Sequence, residues 1–201
     1  MSNSAAMNWE RVNVWSSALY TIVHSLQFAR ERQFGDITGL DRSMRMAAQW
    51  IPDDCSYSSA LLSHQGGRYK LTFRRDPEKH FDATAKRLIC MLLQDLVVIF
   101  DQMMDEALAA KSETAGTFPQ SKIEKLRKRL PMNYQWSADG CLELVAVRNV
   151  LCHAGGRWNA KSIQIVKGIL DVPPQVGEDL SVGFTMLFRY RKAMRTFLNQ
   201  V

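Results

Sequence analysis

The chain has 201 residues, 46% of them hydrophobic and 23% charged, enough for one core that buries most of its unfolded surface. A net charge of +6 suits an anionic partner such as RNA without requiring one. No apolar run reaches the roughly 18 residues of a membrane span and no apolar leader opens the chain, so a cytoplasmic, membrane-free protein forming a single domain over 1–201 is expected. Cys55, Cys90, Cys141 and Cys152 have no CxxC spacing, which argues against a zinc site or a secreted disulfide framework and predicts reduced thiols, with no metal and no cofactor.

Apolar residues at Val12, Trp15, Leu19, Ile22, Val23, Leu26 and Phe28 predict an amphipathic helix over 8–32. Asp41 to Trp50 reads as a second, shorter helix with Asp41 as its cap. Residues 51–81 change character: Pro52, Gly66, Gly67 and several serines punctuate them, and only Arg68 to Arg74 alternates as a strand would. An irregular insertion is expected there, with a small β-hairpin around 66–75. Phe81 to Lys111 is the longest helical pattern, apolar over so much of its circumference that it belongs to the core or to a dimer seam. Asp95 is an isolated acid on it, a candidate partner for a nearby base.

Residues 111–119 are small and polar, hence a loop, and Phe118-Pro119 begins a helix that carries Lys122, Lys125, Arg127, Lys128 and Arg129. Such a run is usually a solvated face, but its place just ahead of the next helix makes Lys122, Lys125, Lys128 and Arg129 candidate contacts for an RNA phosphate chain. Ser137 or Asp139 is the expected cap of that next helix. Ile163 to Val182, broken by Pro173-Pro174 and Gly177, predicts a helix followed by an extended connection. A closing helix over 183–200 is expected to turn Phe184, Leu187, Phe188 and Phe197 inward and Arg189, Arg191, Lys192 and Arg195 outward.

The stretch Leu142 to Asn159 carries the chemistry. Leu142, Leu144, Val145, Val147, Val150 and Leu151 make it a buried helix, yet Arg148, Asn149 and His153 gather in its last turns, where unpaired polar groups cost kilocalories each. Gly155 and Gly156 end the helix, leaving His153 at the negative end of its dipole, suited to proton transfer near neutral pH. On a helical projection Asn149 and His153 lie roughly 40° apart and Arg148 and His153 roughly 140° apart. Convergence of Arg148 and His153 is therefore expected from two copies of the helix rather than one. Arg157 follows in a loop with Trp158, Asn159 and Lys161 that would lie beside His153, and is a candidate substrate contact. A second Arg-x4-His spacing, Arg75 to His80, contains Pro77 in polar surroundings and is set aside.

Cleaving RNA without a metal needs a base near the ribose 2′-hydroxyl, a cation on the phosphate and an acid for the departing 5′-oxygen. His153 can serve as acid or base, Arg148 can clamp the phosphate, and Asn149 can position either.

Arg148-Asn149, three residues, His153 and a glycine pair, late in a helical chain, resembles the HEPN family, whose signature is Arg, a polar residue, a short spacer and His. Val176 to Val201 resembles the ending of bacterial HEPN proteins, a short Val-Gly-acidic stretch before a final amphipathic helix. The likeness covers the C-terminal part of the chain and not its first helices. In related bacterial sequences an acidic residue stands one turn before the Arg. Here Leu144 holds that position and Glu143 is displaced by one, so the carboxylate partner of Arg148 stays open.

The resemblance implies an all-α antiparallel bundle and a metal-independent endoribonuclease with a composite site across a homodimer. It further implies a toxin or phage-defence role, with an antitoxin or regulatory protein as partner. The competing expectation is an inactive HEPN-like module that binds RNA, a nucleotide or a protein.

Overall fold

The structure is a computed structural model that describes residues 7–31 and 77–201. The chain divides into two compact units, Met1–Val23 with Ala85–Val201, and His24–Thr84. The expected helix at 41–50 and hairpin at 66–75 lie outside the described residues. What is described is all-α: α1 (Glu10–Glu31), α2 (Pro77–Ala109), α3 (Pro119–Arg127), a single 3-10 turn (Met132–Tyr134), α4 (Gln135–His153), α5 (Ala160–Ile165) and α6 (Phe184–Gln200). Among the described residues the only extended pairing is an isolated antiparallel bridge between Arg157 and Asp179. None of these helices is long and apolar enough to cross a membrane.

In the larger unit α4 is the central element, because apolar side chains occupy nearly its whole circumference: Ala138, Cys141, Leu142, Leu144, Ala146 and Val150 are all buried. It packs most extensively on α6, and also on α3 and α5. Gly140 permits the close approach to α6, since a Cβ built there would lie 2.7 Å from the Ala193 Cβ. The T-shaped pair Phe100 and Phe197, 5.9 Å between centroids, joins α2 to α6. The Trp15 indole N–H donates to the Leu92 carbonyl at 2.9 Å and ties α1 to α2.

The final helix turns Leu187 and Phe197 inward as expected, but Phe184 and Phe188 are only half-buried, and Tyr190 and Met194 are buried in their stead. Arg189 and Lys192 are exposed, while Arg191 and Arg195 are half-buried. The Arg195 guanidinium lies over the Trp9 ring at 5.1 Å. Tyr190 is deep because its hydroxyl has a partner, donating to Glu143 Oε1 at 2.8 Å. Burial, and then the neighbouring carboxylate, hold the Tyr190 phenol well above its usual range. Cys90, Cys141 and Cys152 are free thiols. Burial pushes the Cys141 thiol well up, and burial together with Cys152 raises Cys90, so both resist forming the reactive thiolate.

Neither Ser137 nor Asp139 caps α4. The turn at Met132–Tyr134 feeds the helix from Gln135, so both residues fall inside it. Ser137 instead donates to the Tyr134 carbonyl at 2.6 Å and Asp139 pairs with Arg127 at 2.8 Å.

The Gly140 contact sets a test. Forcing a methyl into a packed contact costs about 1–3 kcal/mol, against the roughly 1 kcal/mol that alanine gains over glycine within a helix. Because both carbons at the contact sit on stiff backbone, Gly140→Ala is expected to lower the urea midpoint and Ala193→Gly in the same chain to recover part of the loss. A midpoint equal to or above that of the unaltered protein would refute this account of the helix pair.

Candidate functional site

The last turns of α4 present Arg148 and Asn149 half-buried and His153 exposed. The helix stops at Ala154, after which Gly155 and Gly156 take φ of 60° and 82°, a backbone region that side-chain-bearing residues rarely enter. The Gly156 N–H turns back to the Val150 carbonyl at 3.1 Å. The loop that follows is stitched to the stretch before α6: Leu180 N–H donates to the Gly156 carbonyl (2.7 Å), Trp158 N–H to the Glu178 carbonyl (2.9 Å) and Gly177 N–H to the Trp158 carbonyl (2.8 Å). Trp158 is buried beneath this clasp. The end of α4 is thus held by covalent continuity on one side and by backbone bonds on the other.

Arg148 and His153 meet within one chain. An Arg148 Nη1 hydrogen points at His153 Nε2, 3.0 Å away, and the same nitrogen donates to Asn149 Oδ1 at 3.2 Å. The expectation that two copies of the helix are needed to bring them together is therefore corrected. A helical projection gives the directions of Cβ atoms, whereas the arginine stem is long enough to cross the face, and helical side chains lean back toward the preceding turn. Since a guanidinium can only donate, the contact requires the Nε2 lone pair and puts the ring proton on Nδ1.

These three residues line an open cleft of about 390 Å³. Val97 of α2, Val145 of α4 and Phe118-Pro119 at the start of α3 make its apolar side. Asn159, Lys161 and Ser162 at the start of α5 complete its polar side. Asn159 Oδ1 accepts from the Ser162 N–H at 2.9 Å, capping α5 and fixing this rim. Among the described residues no carboxylate pairs with Arg148 or Lys161. Glu143, the acid nearest in sequence to the expected partner position, is buried on Tyr190 instead. Asp95 is exposed and does not line the cleft.

The other expected contacts lie elsewhere. Arg157 points to Asp179, 3.1 Å from Nε to Oδ1, and is absent from the cleft wall. Lys122 is buried, its ammonium 2.8 Å from Asp101 and 2.7 Å from Asp105. Lys125 donates to the Thr114 carbonyl at 2.5 Å and pairs with Glu113 at 3.4 Å, and Arg129 pairs with the same Glu113. Lys128 is exposed, beside Glu113 and Glu124 on a separate surface depression. The basic run is thus largely neutralised by acids of α2 and the loop after it. Phe118 is the cleft residue whose role sequence alone does not announce, because its place beside Arg148 depends on how α3 docks against α4. Among the described residues no cluster of three or more His, Cys, Asp or Glu side chains is arranged to hold a metal ion.

Comparison with protein-family models, with curated proteins and with solved structures finds no match.

Burial works against the Lys122 charge, but the hydrogen bonds and charges of Asp101 and Asp105 outweigh it and raise its pKa above the ordinary 10.5. A raised lysine stabilises the fold in full below its unfolded pKa, and that contribution fades as pH rises through the folded value. Lys122→Met is thus expected to lose about 1–2 kcal/mol at neutral pH, chiefly by leaving the partly buried Asp101 without its cation, while the exposed Asp105 is hydrated instead. Melting curves at rising pH should show a constant gap from the unaltered protein that narrows only above 10.5. A gap already closing near neutrality would contradict the pairing.

Proposed function

We propose that the chain is a metal-independent endoribonuclease of HEPN type. One observation carries the reading: a half-buried guanidinium with no carboxylate partner among the described residues touches the exposed imidazole beside it in an open cleft. A cation in that setting is incompletely paid for until an external anion arrives, and phosphate fits a guanidinium fork in two places at once. When a phosphate draws Arg148 away, His153 Nε2 is released with its lone pair available.

The reaction then balances as follows. His153 Nε2 takes the ribose 2′-hydroxyl proton, the 2′-oxygen forms a bond to phosphorus, and Arg148 carries the charge that grows on the non-bridging oxygens. The bond from phosphorus to the 5′-oxygen breaks, and that oxygen takes a proton. The products are a 2′,3′-cyclic phosphate and a 5′-hydroxyl. Asn149, bonded to Arg148, keeps the guanidinium over the cleft. The departing oxygen needs an acid, and among the described residues the cleft holds one histidine. His153 of a second copy would supply it, which makes the active form a homodimer. In support, Met91 and Val98 are 57% and 52% exposed on the same face of α2 as Gln94, whose amide donates to the sulfur of Cys152, next to His153. Two exposed apolar side chains thus flank Gln94 beside the motif, on a face that a second subunit would cover.

A second reading, a binding module without turnover, draws on the same contact, since Arg148 occupies the lone pair that a base requires. Incubation of the purified chain with mixed RNA in excess EDTA separates the two. The expected result is cleavage with cyclic-phosphate ends, DNA left intact for want of the attacking hydroxyl, and loss of at least a hundredfold in rate for Arg148→Ala and for His153→Ala. Retained cleavage in either variant, or none in the unaltered protein, would remove the nuclease assignment.

A further inference from the structure

The reaction above makes no use of Phe118. Its side chain is 73% exposed although it lines the same cleft as Arg148, and no aromatic ring packs on it among the described residues. Its backbone is firmly placed: the Phe118 carbonyl accepts from Ser121 N–H at 3.0 Å, and Pro119 opens α3 with its preset φ. A large apolar ring on a rigid support, left uncovered by the described residues, is suited to a flat partner.

The cleft lining is mixed to match. Val97, Val145 and Pro119 supply apolar lining with Phe118, and Arg148 and Lys161 supply positive charge. At about 390 Å³ it falls within the range of small-ligand pockets, roughly 300–1,000 Å³. That is room for one nucleotide and not for a duplex, whose bases are already stacked on each other and cannot reach a protein ring.

We infer that the cleft takes one unpaired nucleotide, with its base stacked on Phe118 and its phosphate at Arg148 and Lys161, so that the substrate is single-stranded RNA. This rests on the reading of the cleft as an RNA site. Stacking on an aromatic side chain tolerates any base, because each has a π-face, so Phe118 selects strand state rather than sequence.

The test uses a fluorescent single-stranded oligoribonucleotide whose 2′-hydroxyls are methylated, so that it can bind without being cut, and the same strand annealed to its complement. Anisotropy titrations on the full chain are expected to favour the single strand. Phe118→Ala and Phe118→Leu should weaken its binding roughly tenfold, while Phe118→Trp stays near the unaltered affinity. With cleavable RNA the Phe118→Ala loss should fall on KM rather than kcat. Unchanged binding by Phe118→Ala, a preference for duplex, or no binding of the probe overturns the inference. If RNA is still cut in those cases, the nuclease reading survives alone. If the unaltered chain binds the single strand through Phe118 but cuts nothing, the nuclease reading falls and the inference stands.

Discussion

A guanidinium without a carboxylate is the constraint on which the described structure turns. Arg148 issues from a helix whose other faces are committed to the core, so its charge cannot escape into solvent by tilting the helix. Its neighbours offer an amide oxygen and an imidazole nitrogen, dipoles rather than a counter-charge. The one acid within a turn or two, Glu143, is buried on the Tyr190 hydroxyl on the α6 side. Segregating the acid into the core contact and the base onto the cleft leaves a positive site that no acid among the described residues complements.

Holding that site in place falls to contacts some distance from it. The helix pair α4 and α6 approaches closely through Gly140 and Ala193, which fixes the axis on which Arg148 rides. The two glycines after His153 let the chain reverse at once, and the loop they begin is bonded to Gly177, Glu178 and Leu180, the stretch leading into α6. The helix that packs along α4 and the loop that clasps its end therefore belong to one continuous segment. The rim formed by Asn159 and Lys161 inherits that rigidity through the α5 cap.

Much of this is readable from residues alone. Apolar periodicity locates the long helices within a few residues: 8–32 against Glu10–Glu31, 81–111 against Pro77–Ala109, and 183–200 against Phe184–Gln200. The earlier start of α2 follows from proline being well tolerated in a first helical turn, where its missing N–H has no bond to lose. Polar residues crowded into the last turns of α4 mark the site because burial makes them anomalous. What periodicity cannot supply is reach and company. A projection places Arg148 and His153 on different faces because it omits the length of the arginine stem. The run from Lys122 to Arg129 looks like a phosphate track because Asp101, Asp105 and Glu113, the groups that neutralise it, lie on another helix and a loop. The carboxylate that meets the Tyr190 hydroxyl is likewise unknown until α4 and α6 are docked.

That neutralisation decides how the cleft can discriminate. A protein that follows a phosphate chain by releasing counterions needs several free cations along one path. Here the α3 charges are largely spent on acids of the same fold, and among the described residues the cations that face the cleft without acidic partners are Arg148 and Lys161. Long-range attraction from a net charge of +6 can bring an anion near, but it cannot choose among polyanions. On the proposed reading, selection comes from the lining of the cleft itself: one fork on one phosphate, one ring beneath one base, and an imidazole nitrogen that has work to do only where a ribose carries its 2′-hydroxyl. On the same reading, DNA and duplex RNA are rejected by different parts of the same cleft, DNA by the missing nucleophile at His153 and the duplex by having no free base to offer Phe118.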